Sequence, residues 1–253
     1  RREARSMNFY PIFLREMLIF RRRLLQIGYL FSTMVTPLLC LIAFGLGLGQ
    51  GMIINGISYL TFVVPGICAM SSMINSYSWI ATSIAVGRLH FKTFDEYHVS
   101  PVTAVDIMLG EVLSGVVRGL FASSLILLAG VIFGAGFPQN PLFIIVWVLN
   151  CFIFACFGVV SGFLAKSHED TATFSNFFIM PMAFFCGIFF PVDKLPYFIK
   201  AVLYLLPLPH ASNALRASFL GERVEMVSLG IMLLVFAACF YWGVITIRRA
   251  NKC

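Results

Sequence analysis

Between residues 25 and 247 the chain carries about six apolar stretches, several broken only by Gly, Ser or Pro, and its one dense basic block, Arg21-Arg22-Arg23, stands immediately before the first. This constrains the fold to a polytopic membrane protein, because each stretch can cross a hydrocarbon core about 30 Å thick, which takes about 20 helical residues. Composition agrees. With 60% hydrophobic and 11% charged residues and a mean hydropathy of +0.92, the chain has more apolar surface than one water-soluble core can hide. The net charge of +7 does not indicate nucleic acid, since the basic residues gather at membrane edges instead of alternating with exposed aromatics on a polar domain.

The hydropathy pattern predicts six transmembrane helices at about 25–48, 58–84, 104–134, 142–165, 172–190 and 226–247. With six spans both termini share one side. That side carries thirteen Lys and Arg: seven before residue 25, then Arg88, Lys92, Lys166, Arg248, Arg249 and Lys252. The other side carries four, Lys194, Lys200, Arg216 and Arg223, while Arg118 sits inside a span. The positive-inside rule therefore predicts both termini in the cytoplasm. Residues 1–24 read as an interfacial amphipathic helix, with Phe9, Ile12, Phe13, Met17 and Phe20 on the apolar face opposite Arg15, Glu16 and the arginine block; a disordered basic tail is the alternative. Pro37 and Pro65 are expected to kink the first two spans. The first apolar segment is too long for a signal-peptide core and lacks a small-residue cleavage site, so it is expected to remain in the mature chain.

Residues 191–225 are too long for a hairpin and too apolar for a solvated loop, and they contain Pro207 and Pro209. They read as an outer re-entrant helix pair, with a plain surface loop as the alternative. The fold expected is thus all-α, a single membrane domain over 1–253: interfacial helix 1–24, spans one to five over 25–190, re-entrant region 191–225, and a sixth span at 226–247.

The cytoplasmic segment from Gly87 to Pro101 contains Thr93, which can cap a short helix with Glu96 as its reciprocal partner, before Pro101 stops it. His90 and His98 stand eight residues apart without a cage of Cys or carboxylates, so no metal site is expected. Within the third span, Glu111 and Arg118 are seven residues apart and share a helix face. A charge at that depth must face the bundle interior or a wet cavity; it serves either as a polar lining or gate of the path or as a structural pair with a neighbouring helix. Six of the seven cysteines lie in apolar segments and are expected to be small core residues. No phosphate loop, H-E-x-x-H or G-x-S-x-G motif is present, and all four histidines fall in predicted loops. No enzyme is expected, and any ATP-driven transport needs its motor on another chain. Gly115-x-x-x-Gly119 and the other small residues of the spans allow close helix contact.

Three stretches together resemble one family: Phe189 to Pro196 followed by Leu206-Pro207-Leu208-Pro209-His210 and Arg216; Phe44-Gly45-Leu46-Gly47-Leu48-Gly49; and Ser100-Pro101 to Gly110-Glu111. The chain is similar to the membrane, or permease, subunit of type-2 ABC exporters, a group that includes drug, polysaccharide and nodulation lipo-oligosaccharide exporters. The resemblance implies a coupling helix at about 88–100 with His90, Phe91, Thr93, Asp95 and Glu96 toward the ATPase, and Phe189, Phe190, Tyr197 and Tyr204 as an outer aromatic gate. It implies a second permease subunit, as homodimer or heterodimer, and cytosolic ABC ATPase subunits that carry the ATP and Mg, in a bacterial inner membrane, with no cofactor in this chain and no nucleic-acid partner. The cargo stays open among lipid-linked glycan, lipid and hydrophobic drug. The rival class is a channel or ion-coupled carrier that works without ATP, and a scaffold without flux is a third reading.

Overall fold

The computed structural model describes residues 9–49, 51–54, 56–91, 102–185, 187–189 and 203–250. It is a helical membrane protein. Helix α1 (Phe9–Leu24) is followed by α2 (Ile27–Cys40), α3 (Tyr59–Leu89), α4 (Ala104–Ile132), α5 (Leu142–Leu164), α6 (His168–Phe174), α7 (Met180–Phe185), α8 (Pro207–Phe219) and α9 (Met226–Ala250). Four of these, α3, α4, α5 and α9, are long and apolar enough to cross a bilayer, and their bounds fall within a few residues of those expected except at the end of α3, which runs on to Leu89.

The segments expected at 25–48 and 172–190 are helical but interrupted. Helix α2 contains Pro37 and widens into a π-helical stretch at Leu41–Leu48. A second π-helical stretch, Ser175–Ile179, joins α6 to α7. In the first, Gly45 and Gly47 lower the cost of leaving α geometry, and the missing N–H of Pro37 removes one rung of the ladder upstream. Pro65, by contrast, sits buried inside α3, which continues through it.

Helix α3 is the hub, packed against α4, α5 and α8. Its contacts with α4 and α5 are close because glycines face it: a Cβ on Gly119 would lie 2.9 Å from the Ser72 carbonyl oxygen, one on Gly158 2.8 Å from that of Tyr77, and one on Gly162 2.9 Å from that of Ala81. Polar side chains bridge the same helices. Asn150 donates to the Ser72 hydroxyl (2.8 Å) and the Ala69 carbonyl (3.1 Å), and the Trp147 indole donates to Ser123 Oγ at 2.8 Å. In hydrocarbon, where apolar burial does not distinguish lipid from protein, such packing and hydrogen bonds hold helices together. The cysteines Cys68, Cys151, Cys156 and Cys239 are buried and unpaired, in keeping with a packing role.

At the opposite end from α1, the connection after α2 forms a two-residue hairpin pairing Ile53 with Ser58 and Ile54 with Ile57. The connection between α4 and α5 is tied to α8: the backbone N–H groups of Gln139 and Asn140 donate to the carbonyls of Phe219 and Ser218. These are terminal carbonyls that α8 cannot satisfy itself. Helix α8, within the region expected to re-enter, is thus docked on the bundle; residues 190–202, where its expected partner falls, lie outside the described residues. Two expectations are corrected here. His210 is in helix α8 and buried, not in a loop, its Nε2 facing the Tyr204 carbonyl at 2.8 Å, and His168 opens α6.

Gly158→Leu is expected to destabilise the bundle by about 1–3 kcal/mol through overpacking, since its nearest neighbour is backbone. Gly230→Leu, at a position with nothing within 4 Å of an added Cβ, should leave the melting temperature in detergent unchanged. Equal melting of the two variants would refute this packing account.

Candidate functional site

Helix α1 does not present the face expected of it. Ile12, Glu16 and Phe20 are its buried residues, spaced by four and therefore on one stripe, and Glu16 is 0% exposed. The expectation that Glu16 lies opposite the apolar face is overturned. The reason is Arg118 of α4: its Nη2 lies 3.1 Å from Glu16 Oε2 and donates to the Glu16 backbone carbonyl at 2.8 Å. Glu16 Oε2 also accepts from the Trp79 indole N–H of α3 at 3.1 Å, while Oε1 lies 3.2 Å from Arg15. The Arg118 guanidinium stacks on Trp79 at 3.8 Å and over Phe20 at 5.1 Å. One carboxylate thus joins α1, α3 and α4. Gly110 makes room for the approach, since a Cβ there would meet Ile12 Cβ at 2.8 Å. Glu111, also buried, lies two turns before Arg118, and its Oε2 has no hydrogen-bond partner among the described residues.

The segment expected to couple to a motor lies mostly outside the described residues: Thr93, Asp95 and Glu96 fall there, while His90 and Phe91 are exposed at its start. Both of its roots are anchored. Arg88, in the last turn of α3, donates to the carbonyls of Gly162 and Ala165, each at 3.3 Å, and to that of Phe163. A cation on the open carbonyls at the end of α5 is favoured by charge as well as by hydrogen bonding. At the other root, Thr103 and Asp106 form a reciprocal capping box at the start of α4, with the Asp106 carboxylate accepting from the Thr103 N–H at 3.0 Å. The T-x-x-D spacing in the sequence carries this signal, which the reading of Thr93 and Glu96 overlooked.

Of the outer aromatics, Phe189 is buried, its ring 4.4 Å from Phe44 and 6.2 Å from Phe184, and its carbonyl accepts from the Tyr59 hydroxyl at 2.8 Å. Tyr204 is partly exposed and packs by its ring on His210 at 5.7 Å. Phe190 and Tyr197 lie outside the described residues. Beside Phe189, Arg216 of α8 donates to the carbonyls of Phe62 (3.1 Å) and Gly187 (2.9 Å) and stacks on Phe62 at 3.7 Å.

Two of the cavities beside the interrupted segment that contains α6 and α7 bear on the site, and the segment contributes to both. One, about 390 Å³, is apolar, lined by Phe154, Phe157, Phe178, Val235 and Trp242 among others. The other, about 400 Å³, lies between α2 and α3, and side-chain hydroxyls and an amide line it, with Arg23, Trp79 and Met180 at its border.

The buried pair gives a stability test. Glu16→Gln or Arg118→Met alone is expected to cost about 3–5 kcal/mol by leaving an uncompensated buried charge, and the double variant should recover most of it. A double-mutant cycle of melting in detergent reads this, and additive losses would show that the two do not interact.

The description ABC-2 type transporter matches residues 8–220. The chain is 30% identical over 224 residues to the inner membrane transport permease YadH of Escherichia coli (strain K12), covering 86% of this chain and 87% of that protein. It is 30% identical over 214 residues to nodulation protein J of Sinorhizobium fredii (strain NBRC 101917 / NGR234), with 81% of each covered, and 26% identical over 253 residues to nodulation protein J of Rhizobium leguminosarum bv. viciae, with 97% of this chain and 96% of the relative covered. An extended match of this length, over a helical membrane bundle with a charged anchor between its first helix and its core, makes the chain a transport permease of the ABC-2 type transporter family.

Proposed function

We propose that this chain is the permease subunit of an ATP-driven exporter that moves a lipid-linked glycan, lipid or hydrophobic drug out of the cytoplasm or inner leaflet of a bacterial inner membrane. In this reading it spans the membrane six times as one domain, the two interrupted helical segments crossing with α3, α4, α5 and α9, and both termini are cytoplasmic. It pairs with a second permease subunit and with cytosolic ABC ATPases, which hold ATP and Mg. The cargo path runs along the interface between the two permeases, and Phe189, Phe190, Tyr197 and Tyr204 form its outer gate.

The observation that carries the reading is the anchoring of both ends of residues 92–101, by Arg88 on the end of α5 and by the Thr103–Asp106 box on the start of α4. A push at these two roots is delivered to α3, α4 and α5 together. His90, Phe91, Thr93, Asp95 and Glu96 make the contact with the motor, Asp95 and Glu96 by charge. Of the two roles open to Arg118, pairing with a neighbouring helix is the one its contacts with Glu16 support, so Arg118 acts on the path by holding α1 in place, while Glu111 keeps the role of a polar lining or gate. ATP-driven closure of the motors then shifts the permease pair between states of different cargo affinity, because only differential binding moves such an equilibrium.

Co-purification with an ATPase and ATP-dependent transport in proteoliposomes test the assignment. Glu96→Lys should abolish transport while leaving membrane insertion, and ATP hydrolysis by the motor, in place. Full transport by that variant would remove Glu96 from the coupling role, and flux from the permease alone would overturn the exporter reading in favour of a channel or carrier.

A further inference from the structure

The cleft between α2 and α3 is lined by side-chain hydroxyls, an amide and a guanidinium as well as by apolar groups. From α2 it takes Ser32, Thr33 and Thr36, and from α3 Asn75, Ser78 and Thr82, at spacings that place each set along one helix face. Ser32 and Thr33 spend their protons on the Tyr29 carbonyl, at 3.0 and 2.8 Å, and keep oxygen lone pairs for an incoming donor. Thr36, Ser78 and Thr82 make no hydrogen bond among the described residues, so each offers both a donor and an acceptor. At the end of the cleft nearest α1, the exposed guanidinium of Arg23 lies 4.4 Å over the Trp79 ring and has no acidic partner among the described residues. Trp79 is itself held by Glu16 and Arg118. The cation is therefore seated on a fixed platform, with its N–H groups available.

A volume of about 400 Å³ falls in the range of small-molecule sites. Arginine with available N–H groups matches the oxygens of a phosphate, and a row of unspent hydroxyls matches a ligand bearing hydroxyls of its own.

We propose that this cleft binds a phosphate-bearing, hydroxyl-rich headgroup, with Arg23 on the phosphate and Thr36, Ser78 and Thr82 on the hydroxyls. This deepens the exporter reading, on which the role of the bound group as cargo rests, but the binding itself is measured without a motor. A failure of transport and a failure of binding are thus read separately.

The test uses the purified full chain in nanodiscs, with Trp147→Phe and Trp242→Phe so that Trp79 alone fluoresces. Phosphatidylglycerol, mixed into phosphatidylcholine discs, should give a saturable change in Trp79 emission. Phosphatidylmethanol, with the same charge and no headgroup hydroxyls, should bind several-fold more weakly. Arg23→Gln should raise the midpoint for phosphatidylglycerol about tenfold or more, and Arg23→Lys should recover part of the loss. Thr36→Val with Thr82→Val should erase the preference over phosphatidylmethanol. Glycerol 1-phosphate added to the discs that contain phosphatidylglycerol separates the sources: competition shows that a water-borne phosphate also fits, and its absence, with the lipid binding intact, assigns the site to lipid. Equal midpoints for wild type and Arg23→Gln, or no difference between phosphatidylglycerol and phosphatidylcholine, would overturn the proposal. So would a signal that follows protein concentration, which would mean a second copy fills the cleft.

Discussion

An arginine near the middle of a membrane-crossing helix is tolerated only where the protein supplies its counter-charge, and the architecture at one end of this bundle follows from that requirement. Arg118 finds its acid on α1, a helix outside the span to which it belongs. Because Glu16 also accepts from Trp79, the same carboxylate fixes α3. The stacking of Arg118 on Trp79 and Phe20 covers its flat faces, where hydrogen bonding has nothing to offer. Helix α1 is consequently an integral part of the bundle, and Arg23 at its end is delivered to the hydroxyl-lined cleft.

The rest of the core is held by closeness. Glycines on α4 and α5 bring α3 within backbone distance, and Asn150, Ser72, Trp147 and Ser123 add hydrogen bonds across the contact. The rigid part of the molecule is therefore α3, α4 and α5, the helices on which both roots of the segment at 92–101 are clamped. The two segments with π-helical turns border the cavities instead. Wider turns leave a helix less regular in its hydrogen-bond ladder, and the stretch Ser175–Ile179 reaches the apolar cavity directly through Phe178 and Ile179.

Much of the plan was legible along the chain. Span limits at Ala104, Leu142 and Met226 follow from hydropathy and from the polar connections before them, and the start of α4 is written in Thr103 and Asp106. The buried cysteines and the glycine-lined contacts were readable as small residues in apolar context. Glu16 was not. A single acid among arginines on an amphipathic helix reads as solvated, and its four-residue spacing from Ile12 and Phe20 becomes informative only once Arg118 is known to lie opposite. His210 misled for a similar reason, since the prolines flanking Leu208 suggest a loop, whereas Pro207 and Pro209 fall in the first turn of α8, where a missing N–H costs nothing.

The amino-acid sequence by itself determined that this chain is helical and crosses a membrane repeatedly. These follow from local quantities: apolar length, charge position and turn chemistry. Only the tertiary structure decided which charges meet, which helix lies at the centre, and that hydroxyls from α2 and α3 share one cleft beside Arg23. Those facts depend on the relative rotation of helices distant in the chain, and hydropathy, which is blind to rotation between helices, does not encode it.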